Sequence, residues 1–252
     1  MLAFAVCEEG YDLLPSGNVP LALIVLLVVL LGLAFGSFLN VCISRLPQHK
    51  SVVRPRSQCP QCGTAIRASD NIPLLSWAVL RGRCRNCRSR IAWRYPAVEL
   101  GGTALFLLAY LRFGLTVMGI GIMVLSFLLL GLAVMDAETM RLPDAFTLPG
   151  ILLGILFAGL MPAATGGEHL AHAGLSALGA VLAWLGPALT LVTLFFGALS
   201  ASVVGLLWIA IARRKESPMT ARIPFGSFLC GAALYAIYQG PASVGWYMQF
   251  FR

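Results

Sequence analysis

Long apolar runs alternate with short polar ones along this chain, and the first, residues 19–43, holds no charged residue. A hydrocarbon core about 30 Å thick needs roughly twenty helical residues to cross it. The run therefore predicts a first transmembrane helix, stopped at Arg45 and Pro47. Near its end Gly36 and Ser37 permit close contact with another helix, and Asn40 is a polar group at membrane depth that needs a partner. A second helix is expected from Pro96 to about Phe113, with Glu99 capping its start against the helix dipole. A third covers 115–135. Pro143 and Asp144 restart a fourth over 145–161, with Asp144 as its N-cap.

Two further apolar runs follow at 170–186 and 188–212, then a last helix over 223–239, entered through Pro-Phe-Gly. If both middle runs crossed, the basic cluster Arg213 to Lys215 would emerge on the outer face, against the positive-inside rule. The Gly- and Ala-rich 170–186 run is accordingly expected to be re-entrant or to pack without crossing. A seven-span molecule with a mis-signed loop is the alternative. Trp246, Tyr247, Phe250 and Phe251 suit an interfacial aromatic anchor. The fold class is all-α: a polytopic membrane protein of about six or seven transmembrane helices.

Composition agrees, since 59% of the 252 residues are hydrophobic and 11% charged, which excludes an ordinary soluble domain. Charge orients the chain. Arg45 to Arg94 carries eleven Lys or Arg residues against one acid, Asp70, whereas residues 1–18 carry Glu8, Glu9 and Asp12 with no base. The positive-inside rule then puts 1–18 outside, 19–43 across the membrane, 44–95 in the cytoplasm, and a membrane domain over 96–252. The N-terminus lacks the basic region of a cleavable signal, so the first run reads as a retained anchor. The basic loop fits anionic lipid headgroups better than nucleic acid, because it lies between membrane spans.

That loop also holds two C-x-x-C pairs, Cys59/Cys62 and Cys84/Cys87. Such knuckles converge four thiolates on one tetrahedral ion, and zinc is the natural occupant of a small ribbon-like domain between the first two helices. Two disulfides are the competing reading, which a reducing cytoplasm disfavours. Cys7, Cys42 and Cys230 lack ligand spacing and read as isolated thiols. His169 and His172, three residues apart without a further ligand, read as interfacial residues, and His49 as part of the solvated basic loop.

Asp136 closes the third apolar run, where a carboxylate leaving lipid is partly desolvated and its pKa open to tuning. Its bland reading is a boundary acid. The surrounding runs decide the matter: GSFLNV and RLP within 36–47, DNIPLLSW at 70–77, LRGRCRNC at 80–87, RYPAVEL at 94–100, LPD at 142–144 and IPFGSFL at 223–229. In this order they resemble the type 4 prepilin peptidases, the prepilin leader peptidase/N-methyltransferases. The resemblance implies a multi-pass inner-membrane aspartic endopeptidase with a cytoplasmic zinc domain. It implies removal of leader peptides from type IV prepilins or type II secretion pseudopilins, and methylation of the new N-terminus from S-adenosylmethionine. The family's first catalytic aspartate corresponds to Asp136.

One part of the pattern is missing. The family's second aspartate stands in a G-x-G-D-x-K motif between the fourth helix and IPFG, and no such motif occurs here. After Asp144 the only acids are Glu168, expected on the face opposite Asp136, and Glu216, in a polar linker. Asp144, eight residues on, is a weak candidate partner. A proteolytically deficient homologue, acting as a zinc-bearing membrane scaffold or as a methyltransferase only, is therefore the rival expectation.

Overall fold

The computed structural model describes residues 20–140, 143–160, 180–212 and 224–249. These form α1 (Leu21–Arg45), α2 (Leu75–Val79), α3 (Arg94–Phe113), α4 (Val117–Thr139), α5 (Asp144–Leu160), α6 (Ala180–Ala212) and α7 (Phe225–Met248). Among the described residues there is no strand, only two isolated antiparallel bridges within the cysteine segment. The helices α1, α3 and α4 are each long and apolar enough to cross a membrane, and 144–153 and 191–207 are shorter apolar stretches. The all-α membrane architecture expected from the apolar runs is therefore present. The full count of six or seven spans extends to residues outside those described, as do Cys7, Glu168, His169, His172 and Glu216.

Several boundaries differ from expectation. Residues 180–186 and 188–212 are not separate elements, because α6 continues through Gly186 and Pro187 as one helix of 33 residues. At 1.5 Å per residue it is about 50 Å long. Proline reads as a break because it lacks an N–H and crowds the preceding turn, but membrane helices tolerate it where neighbours re-satisfy the freed carbonyl. The same holds for Pro149 inside α5 and for Pro241, through which α7 runs on to Met248. The re-entrant reading of 170–186 can be followed only over its last seven residues, which are helical.

The chain divides into two compact units, with the boundary between Gly131 and Leu132. In the first, α1 lies directly against α3. The contact runs through glycine: a β-carbon on Gly32 would come within 2.7 Å of Thr103 Cα, and one on Gly36 within 2.7 Å of Glu99 Cα. Small residues four apart let two backbones approach where lipid provides no hydrophobic drive. Gly102 faces the same seam from α3. Beside it Phe35 meets Phe106 and Phe127 at 5.8 and 5.7 Å between ring centroids. At the end of the seam the Asn40 side-chain N–H donates to Tyr95 O at 3.0 Å, while its Oδ1 is buried with no hydrogen-bond partner among the described residues.

In the second unit α6 packs against α5 and α7. Gly197 admits Leu229, whose Cδ1 would lie 2.8 Å from an added β-carbon, and Phe196 meets Tyr235 at 5.0 Å. Because the Gly36 seam has no slack, Gly36→Leu is expected to lower stability by about 1–3 kcal/mol. Gly231, with open space around it, should accept Ala with a change within about 0.5 kcal/mol. Thermal unfolding of both variants in detergent checks the contrast.

Candidate functional site

The cysteine segment is two copies of one turn. Cys59 N–H donates to Thr64 O at 3.0 Å and Cys84 N–H to Ser89 O at 2.9 Å. Gly63 N–H closes on Cys59 O at 2.9 Å, as Arg88 N–H does on Cys84 O at 3.1 Å. Each turn needs a left-handed residue at that point, and Gly63 (φ 68°) and Arg88 (φ 60°) supply it. Glycine takes the conformation freely; an L-residue such as Arg88 gives up about 1–2 kcal/mol.

The turns bring the four sulphurs of Cys59, Cys62, Cys84 and Cys87 within 4.8 Å of one another. Cys59 Sγ and Cys87 Sγ are 3.8 Å apart, the spacing set by four zinc–sulphur bonds of about 2.3 Å in a tetrahedron. A disulfide needs about 2.05 Å, and all four cysteines are free. The donor chemistry also suits a cation. The Thr64 hydroxyl and amide and the Asn86 side chain bring Cys62 down to about 6. The Cys62 and Gln61 amides, helped by the Ser89 hydroxyl, lower Cys59 against the pull of burial. At Cys84 the Cys87 and Asn86 amides act in the same sense, but desolvation and the Cys59 and Cys87 sulphurs outweigh them and raise it.

The scaffold around the cluster is pinned at two points. Arg85 Nε and Nη2 grip both oxygens of Asp70 at 2.7 and 2.6 Å, which holds the Asp70 carboxyl below its usual range. Trp77 Nε1 reaches Ile91 O at 3.4 Å. Glu99 corrects an expectation. It does not cap α3, which begins at Arg94, because it is the sixth residue and lies beyond the first-turn amides. It is buried instead, and accepts the Leu74 N–H at 2.8 Å. Leu74 has φ 60°, a costly conformation for leucine that the Glu99 contact accompanies.

In the second unit Asp136 is 7% exposed and, contrary to expectation, does not end its helix; α4 continues to Thr139. Its carboxylate lies at the N-terminus of α7. Ser227 N–H donates to Oδ2 at 2.7 Å and Ser227 Oγ to the same oxygen at 3.1 Å. The hydroxyl also lies 2.9 Å from Ala133 O. Gly226 makes the approach possible, since a β-carbon there would lie 3.0 Å from Asp136 Cγ and Oδ2. An anion is favoured where unpaired helix N–H groups point outward. Asp144 is exposed at the start of α5, and no hydrogen bond joins it to Asp136 among the described residues. Gly226 and Ser227 were not singled out by sequence reasoning beyond their place in IPFGSFL. A Ser two residues into a helix after Pro was the available signal. Cys42 and Cys230 are buried, outside the four-sulphur cluster.

Fold and site together define a helical membrane protein with a metal-type cysteine cluster between its first two long helices. Residues 30–113 match the bacterial peptidase A24 N-terminal domain. A prepilin leader peptidase/N-methyltransferase of Myxococcus xanthus is 41% identical over 233 positions, taking in 82% of this chain and 69% of its own. Proteins of the same name from Pseudomonas putida and Legionella pneumophila are 31% and 30% identical, and 92% and 94% of their lengths are covered. No solved structure matches. The chain belongs to the prepilin leader peptidase/N-methyltransferase family.

The Pseudomonas putida comparison runs over 267 positions while drawing on 87% of a 252-residue chain. That relative therefore holds residues for which this chain has no counterpart. Asp136→Ala, which strands the Ser227 N–H, is expected to destabilise the protein by about 1–3 kcal/mol. Exposed Asp144→Ala should cost less than about 1 kcal/mol. Chemical denaturation in detergent distinguishes them, and equal losses would show that the clamp is not formed.

Proposed function

We propose that the protein removes leader peptides from type IV prepilins or type II secretion pseudopilins, as an aspartic endopeptidase of the bacterial inner membrane. Asp136 is its water-activating carboxylate. The observation that supports this is the clamp on Asp136: both recorded donors converge on Oδ2, leaving Oδ1 to other partners, on a group fixed between two helices. A general base needs that kind of rigid placement. In the proposed step Asp136 takes a proton from water as its oxygen adds to the scissile carbonyl. The tetrahedral intermediate then collapses, the C–N bond breaks, and the leaving amine takes up the proton. A second, protonated acid ordinarily polarises that carbonyl. Asp144 is the nearest in sequence and a weak candidate; Glu168 and Glu216 lie outside the described residues.

On this reading 44–95 is a cytoplasmic domain built on a structural zinc held by Cys59, Cys62, Cys84 and Cys87. Residues 1–18 are external, 19–43 span the membrane, and 96–252 form a shortened protease-like membrane domain. Methylation of the newly exposed amine would draw on S-adenosylmethionine. The absent G-x-G-D-x-K motif, together with the unmatched positions in the relatives, favours a second reading: a zinc-bearing scaffold, or a methyltransferase without proteolysis.

Co-expression with a prepilin separates the two. Cleavage seen as a mobility shift, lost in Asp136→Ala, supports the peptidase. No cleavage under conditions where a full relative cuts would overturn it in favour of the scaffold. The purified protein should carry about one equivalent of zinc, measured by atomic emission and lost on Cys59→Ser with Cys84→Ser. Four metal-free thiols would contradict the zinc assignment.

A further inference from the structure

The short helix α2 is amphipathic in an inverted sense for a domain in water. Trp77 turns inward, with its ring 3.0 Å from where a Gly82 β-carbon would stand and its indole N–H on Ile91 O. Leu75 and Val79, four residues apart and so on one face, are 56% and 67% exposed. Trp93 is 76% exposed. These three are among six large apolar side chains left bare on this basic domain, the others being Val53, Ile66 and Ile72, and exposed apolar area of that kind marks an interaction surface.

Its height relative to the membrane helices is set by a hydrogen bond. Leu74, the residue before α2, donates to Glu99, the sixth residue of α3. At 1.5 Å per residue Glu99 lies about 7.5 Å along the helix from Arg94. The start of α2 is thus held level with the second turn of a helix apolar enough to span a bilayer, and Trp93 immediately precedes that helix. This is the depth at which tryptophan collects in membrane proteins. Charge agrees. Residues 44–95 hold eleven basic residues against Asp70, and Arg85 already engages Asp70 through two hydrogen bonds.

We propose that α2 lies in the headgroup layer of an anionic leaflet, with Leu75, Val79 and Trp93 inserted among the lipids, so that the cysteine domain rests on the membrane surface. The partner is a phospholipid surface of negative charge, recognised by apolar insertion with arginines around it. The inference rests on α1 and α3 spanning the membrane and is independent of proteolysis. A membrane-resting domain would stay beside the point where a membrane-embedded substrate offers its leader.

The test uses the full chain in nanodiscs of phosphatidylglycerol or phosphatidylcholine, with lipids brominated high on the acyl chain. The Trp93 signal is read as wild type minus Trp93→Phe. Leu75→Trp, Val79→Trp and, as an aqueous control, Gln61→Trp are read in the Trp93→Phe background. The signals at 75, 79 and 93 are expected to fall about twofold or more with brominated lipid, and further in phosphatidylglycerol, while that at 61 yields only to acrylamide. Acrylamide quenching at 75, 79 and 93 equal to that at 61 would overturn the proposal, as would protection from both quenchers, which would mean a protein partner covers the face. Equal quenching in the two lipids would overturn its anionic preference. Because all sites tested are exposed, the substitutions leave packing intact, and the readout is independent of whether prepilin is cut.

Discussion

A polar group inside an apolar environment must find a partner or impose a large penalty, and three of this chain's buried polar side chains find one far along its own sequence. Asn40 in α1 donates to Tyr95 at the start of α3. Glu99, buried in α3, accepts from Leu74 at the entrance to α2. Asp136 in α4 accepts twice from Ser227 in α7. Each contact joins elements that no local propensity would bring together. The first two tie together the helices and the turn that flank the cysteine domain, and the third holds the carboxylate on which the proposed chemistry turns.

Close helix approach makes these contacts possible. The polar pairs of the first unit sit at the end of a seam in which Gly32 and Gly36 press on Thr103 and Glu99, and in the second unit Gly226 clears the space that the Asp136 carboxylate fills. Glycine here acts less as a flexible joint than as missing volume. Within the cysteine segment it acts through conformation, since Gly63 adopts the left-handed turn that Arg88 must adopt at a cost. The same fold therefore uses glycine in two physically distinct ways.

Much of this was legible in the residues. Apolar runs marked the helices, because lipid admits few alternatives to helix, and the C-x-x-C spacing marked the cluster, because two such turns can bring four sulphurs together. Helix ends were less legible: one apolar run was expected to stop at 186 and the last helix at 239, yet α6 and α7 pass through Pro187 and Pro241. The roles of Glu99 and Ser227 were hidden for a different reason. Ser227 and Asp136 are 91 residues apart, and no spacing rule links a serine at a helix start to an acid three elements earlier.

The account depends most on that last contact, since the proposed chemistry and the architecture of the second unit both run through it. A double-mutant cycle on Asp136→Ala and Ser227→Ala, read as unfolding free energy in detergent, measures it directly. The account predicts a coupling of about 1 kcal/mol or more between the two positions. Strictly additive losses would mean that the carboxylate is not held at the start of α7.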